Sequence, residues 1–131
     1  LVMAASEPER YPQVMTSLND DDGEAALDAE RNLFTASHPH VGAYLVGLWG
    51  YDQEIVNAIT HHHTPSLCPI RELGTLAVIH AAEAFIRLPD IRAPETVHGL
   101  DLEFFRALGL TGRLPEWQSV ARQMLPAVAA E

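Results

Sequence analysis

A single cysteine, Cys68, is all the thiol this chain carries, so no internal disulfide can form and the usual mark of an oxidising compartment is missing. Long apolar runs are missing too. The longest, Val41 to Tyr51, is about half of the roughly 20 residues a bilayer crossing needs and is broken by Gly42 and Gly47. Positive charge is scarce: eight Lys and Arg stand against eighteen Asp and Glu, a formal charge of −10 at pH 7. That sign repels phosphate backbones and anionic lipid, which excludes nucleic-acid and membrane-surface binding as first expectations. The opening Leu1–Ala5 has no basic flank and is soon followed by Glu7 and Glu9, so it does not read as a signal peptide. A cytoplasmic location is expected.

No window alternates apolar and polar residues with period two, while several place apolar residues at helical spacing between Pro, Gly, Asp or Ser. The expected fold is therefore all-α. With 131 residues and 47% hydrophobic composition, there is material for one ordinary core. Because the chain begins in an apolar stretch, the expectation is a piece of a longer protein, with about six or seven helices.

The spacing predicts helices over 11–18, 22–36, 40–49, a stretch starting after Asp52 and running to His61, then 71–87, 101–108 and 115–125. Leu27, Glu30, Leu33 and Phe34 fall on one face of the second of these. The run Asp20-Asp21-Asp22 lacks the alternating oxygens and closing Glu of a calcium loop and reads as a solvated helix start. The third helix is apolar nearly all round, so it is expected at the centre of the fold, with Tyr44, Leu48 and Trp49 in the core and Gly42 and Gly47 marking close approach of a neighbour. Truncating Trp49 to Ala is then expected to cost about 3 to 5 kcal/mol. Ile59, His80, Phe85 and Trp117 complete the expected core. Gly109 reads as a helix stop, and Pro89 and Pro94 as the end of the helix before it.

Seven histidines are the chemically notable feature, since neutral imidazole both ligates metals and titrates near pH 7. Five lie in two clusters, His38 with His40 and His61-His62-His63. Antiparallel neighbouring helices would bring the two clusters together into a shared site. Equally, a triple-His run at a helix C-terminus interacts well with the helix dipole and the last carbonyls. His80, alone on an apolar face, reads as a core histidine, and His40 and His98 as solvent-facing or loop residues.

The stretch from Ser37-His-Pro-His-Val-Gly through Trp49-Gly, the segment Ile55-Val-Asn-Ala-Ile-Thr-His-His-His-Thr-Pro, and Val78-Ile-His-Ala-Ala-Glu-Ala together resemble the C-terminal half of an HDOD domain. That family of HD-related output domains is a relative of HD phosphohydrolases and of HD-GYP cyclic-di-GMP phosphodiesterases. The tail from Leu100 to Trp117 resembles the end of HDOD proteins attached to a response-regulator receiver. The resemblance thus implies an HDOD-like portion over 1–99 and a helical extension over 100–131. By the same resemblance His38, His62 and His63 occupy metal-binding positions, and Glu83 stands where the superfamily has its last Asp ligand. No His-Asp doublet occurs in the chain, and the resemblance implies that N-terminal helices are lacking.

The resemblance therefore implies a non-catalytic signal-transduction output module acting through a ligand, a protein partner or an upstream receiver, with dimerisation through exposed apolar helix faces as one form of that interaction. No cofactor is expected in this piece, and a divalent metal only in a longer protein. The alternative is a metal-dependent phosphohydrolase acting on a nucleotide or cyclic dinucleotide, its remaining ligands supplied outside this chain.

Overall fold

The computed structural model describes residues 2–17, 23–70, 72–87 and 99–128, and among these it is helical without strands. The helices are α1 (Val2–Ser6), α2 (Tyr11–Ser17), α3 (Gly23–Phe34), α4 (His38–Leu48), α5 (Gln53–His61), α6 (Thr75–Arg87), α7 (Leu102–Ala107) and α8 (Leu114–Val128), with 3-10 turns at Pro65–Leu67 and Thr111–Arg113. The expected helices are present, with boundaries a few residues inside or outside the sequence limits. Helix α1 was not anticipated. Asp20–Asp22, Pro89, Pro94 and His98 lie outside the described residues.

Two of the helix ends follow directly from local chemistry. At Gly50 (φ +80°) and Gly109 (φ +69°) the backbone turns left-handed. Each time, the next residue's N–H reaches back five positions, Tyr51 to Val46 O at 3.1 Å and Leu110 to Phe105 O at 2.9 Å. These bonds satisfy orphan carbonyls, and only glycine makes the left-handed step without a Cβ clash.

Packing runs in series: α2 lies on α1 and α3, α4 on α5, α5 on α6, and α6 on α8. The main core lies between α5, α6, α7 and α8, where Ala58, Leu76, Ala77, Ala81, Ala84, Phe85, Leu100, Phe104, Phe105 and Leu114 are buried together. Phe105 is its hub, edge-on to Phe104 at 5.4 Å and to the partly buried Trp117 at 6.1 Å. Small alanines on the inward face of α6 leave room for these rings.

Helix α4 is not at that centre, which corrects the expectation from its composition. Tyr44, Leu48 and Trp49 are 67%, 65% and 69% exposed. Only Pro39 and Ala43 of this helix are buried. The physical reason is that α5 covers one side of α4, and a helix apolar on every side carries no periodic signal to say which side that is. Its two glycines divide the same way. A Cβ on Gly42 would sit 3.1 Å from Ile59 Cγ2, the expected close approach, whereas a Cβ on Gly47 would meet nothing within 4 Å. Ile59 is partly buried, and Phe85 is almost wholly so.

Candidate metal centre

The α4–α5 hairpin brings the start of α4 beside the end of α5, and with them the two histidine clusters. His38 Nε2 lies 3.0 Å from His63 Nε2 and 3.4 Å from His62 Nε2. One ring nitrogen from each of the three residues falls within 4.8 Å of the others. A metal holding nitrogens at 2.0–2.1 Å spaces them about 3.3 Å apart at tetrahedral angles and about 2.9 Å apart at right angles. Both observed separations fall close to these values.

The far sides of two of the rings are tied, and the third faces a carboxylate. His62 Nδ1 donates to the carbonyl of Ile59 at 2.7 Å, an oxygen that can only accept, so the neutral ring carries its lone pair on Nε2. His38 Nδ1 donates to Glu30 Oε2 at 2.8 Å, which places its lone pair on Nε2 as well. His63 Nδ1 stands 3.6 Å from Glu83 Oε1. Two lone pairs 3.4 Å apart therefore face each other across the cluster. A proton on His63 Nε2 can serve one of them, while a cation serves all three rings. Tying the outer nitrogen of each ligand to a carboxylate or carbonyl is how proteins orient metal-bound imidazoles. The His38 side chain remains 38% exposed, leaving a route from solvent.

Glu30 was legible only as one polar member of an apolar face on α3. It is 1% exposed. Its Oε2 accepts from both the ring and the backbone N–H of His38, the latter at 2.7 Å. Oε1 accepts from the Tyr11 hydroxyl at 3.3 Å. The carboxylate thus caps the first turn of α4, where a negative charge is favoured by the helix dipole, and fixes the His38 ring with the same oxygen. The signal for it was an acid on the same helical face as Leu27, Leu33 and Phe34. Burial, and then the charge and hydrogen bond of Glu30, raise the pKa of Tyr11.

Glu83, from α6, stands behind His63 and not among the three converging nitrogens. This differs from the ligand position the sequence suggested. A helix carries its side chains on fixed radial directions, and here Glu83 is directed at Nδ1, the outer edge of the ring. Among the described residues no carboxylate oxygen joins the three nitrogens.

His80, also on α6, is 2% exposed and uses both ring nitrogens. Nδ1 donates to the carbonyl of His62 at 2.6 Å, and Nε2 accepts the backbone N–H of Asp101 at 2.9 Å. Burial lowers its pKa, opposed by the bond to the His62 carbonyl and the charges of Asp101 and Glu83. Asp101 in turn caps α7 through Phe104 N–H at 2.9 Å and accepts Ser66 N–H at 3.2 Å. Burial works against its ionisation, but the hydrogen bonds from Ser66 and Phe104 prevail and hold its pKa below the usual carboxylate value. His40 turns outward and meets Ser37 Oγ at 2.8 Å. His61 has its pKa lowered by burial and then by the nearby charge of His40.

An apolar groove of about 510 Å³ lies away from this cluster, between α6 and α8, lined by Val78, Ile86, Trp117, Val120 and Met124 among others. No helix among the described residues is long and apolar enough to cross a membrane.

Residues 1–65 match the family model of the HDOD domain. The match ends two residues past His63, so all three clustered histidines lie inside it and His80, Glu83 and Asp101 lie beyond it. No curated protein and no solved structure matches the chain.

Proposed function

Since the chain belongs to the HDOD family through residues 1–65, and so contains an HD-related output module, we propose that it works as a cytoplasmic, non-catalytic regulatory domain whose three-histidine cluster binds one divalent metal ion. The observation that carries this reading is the convergence of His38, His62 and His63, with ring nitrogens 3.0 and 3.4 Å apart, the outer edges of His38 and His62 held by Glu30 and the Ile59 carbonyl, and Glu83 facing that of His63 at 3.6 Å. Three neutral imidazoles without a carboxylate favour late first-row ions, zinc among them, over magnesium, calcium or manganese. When bound, such an ion supplies Lewis acidity and a positive charge at the end of the α4–α5 hairpin.

What this chain's own residues do is hold geometry. Glu30 sets the His38 ring, Ile59 sets the His62 tautomer, and Glu83 faces His63. Both carboxylates are turned to the outer edges of the rings, and neither is placed to take a proton from a water on the inner side. That arrangement supports sensing over turnover. The exposed apolar side of α4, with Tyr44, Leu48 and Trp49, supports a readout through a protein partner such as a receiver domain.

Isothermal titration of the metal-free chain with zinc tests the reading. One zinc per chain, lost in His63→Ala, is expected; no binding by the intact chain overturns it. A second reading, metal-dependent phosphodiester hydrolysis, is favoured by one observation: three protein ligands leave a tetrahedral ion one open position. Hydrolysis of a chromogenic phosphodiester by the zinc-loaded chain, abolished in His63→Ala, would establish it.

A further inference from the structure

The two adjacent ligands His62 and His63 sit where α5 ends and its following turn begins, and that turn must be held still for two rings to aim at one point. The His62 carbonyl is grasped by His80 Nδ1–H at 2.6 Å. The other side of the same ring receives the Asp101 N–H at 2.9 Å, and Asp101 returns to the turn by accepting Ser66 N–H at 3.2 Å while capping α7 through Phe104 N–H at 2.9 Å. These bonds form a closed loop: turn, His80, Asp101, and back to the turn at Ser66. Every member is tied to backbone, and His80 is locked between α6 and the aromatic core, its ring stacked on Phe105 at 6.0 Å.

We infer that His80 is the positioning residue of the three-histidine cluster, and that through Asp101 it ties occupancy of the cluster to the first turn of α7. The inference rests on the metal-binding reading above. Residues beyond the family match thereby serve the site as its outer support, contributing the clamp on His62 and the carboxylate facing His63. Coupling is reciprocal: an ion that fixes His62 and His63 steadies α7, and a partner that displaces α7 loosens the site.

Four proteins test this: the intact chain, His80→Ala, His80→Asn and Leu114→Ala. An Asn amide can replace the Nδ1–H donor but not reach Asp101, and the Leu114 change removes stability from the core without touching the clamp. Zinc titration is expected to show affinity down 10- to 100-fold in His80→Ala, recovered in His80→Asn to within about threefold of the intact chain. Leu114→Ala is expected to lower the melting temperature while leaving zinc affinity alone. Amide hydrogen exchange is expected to slow about tenfold or more at Asp101 and Phe104 when zinc is added to the intact chain, and not in His80→Asn. Should His80→Ala fail to fold, the exchange contrast between the intact chain and His80→Asn decides alone. Zinc binding without any change at these amides, or equal slowing in His80→Asn, overturns the inference and leaves the metal reading standing. Absence of zinc binding by the intact chain overturns both.

Discussion

Glu30 Oε2 stands 2.8 Å from His38 Nδ1 and 2.7 Å from the His38 backbone N–H, so a single buried oxygen both caps α4 and fixes the ring that opens the histidine cluster. A carboxylate doing both jobs ties fold to site. Glu30→Ala leaves a ring N–H and a backbone N–H without their acceptor and is expected to cost about 2 to 4 kcal/mol in urea denaturation. Glu30→Gln keeps the shape, so its main loss is expected in zinc affinity, about 10-fold or more.

His63→Ala separates the two readings of the triple-His run. A dipole-favoured helix end contributes up to about 2 kcal/mol where, as here, the side chain is largely buried, so the melting temperature is expected to shift by no more than about 10 °C. Zinc binding by calorimetry should disappear outright. Retained zinc binding would place the ion elsewhere.

The core has moved off α4 relative to its composition, and two truncations measure by how much. Trp49→Ala is expected to change stability by no more than about 0.5 kcal/mol, because its ring is mostly in water. Phe85→Ala, at 1% exposure, is expected to cost about 3 to 5 kcal/mol. Equal costs would return α4 to the centre.

Gly42 and Gly47 share a helix but not a fate. Gly47→Ala meets open space and is expected to stabilise by up to about 1 kcal/mol through helix propensity. Gly42→Ala gains the same propensity but drives a Cβ to 3.1 Å from Ile59, and is expected to be less stable than Gly47→Ala by about 1 kcal/mol or more. Chemical denaturation of the two single variants checks the difference.

Acid should weaken the fold through His80 before the carboxylates titrate. Its pKa is lowered in the folded chain from the ordinary value of 6.5, so above that value neither state holds the proton and the full stability is present. As pH falls below 6.5, the unfolded chain takes up the proton first and stability declines until the folded pKa is passed. Protonation would also place a hydrogen on Nε2, which now accepts the Asp101 N–H. His61, lowered in the same direction, adds to the trend. Below the ordinary Asp value of 3.8, Asp101 adds a further loss as its cap is protonated. Urea midpoints measured across this range are expected to fall with pH in the metal-free chain and to fall less steeply in His80→Asn.

Helical period, glycine stops and histidine spacing were all local, and local signals are what a chain displays without its neighbours. They determined an all-α fold and the end at Gly109, offered the meeting of His38 with His62 and His63 as one of two readings, and carried the resemblance to the family whose model matches residues 1–65. Tertiary structure alone decided which side of α4 is covered, since a helix apolar all round gives no phase to read. It also decided that Glu83 stands behind His63, because a carboxylate's role depends on which edge of a ring its helix presents it to. Glu30 and the clamp from His80 to Asp101 were decided there too: each joins residues from different helices, and only packing brings a buried acid or a core imidazole to the atom it must hold.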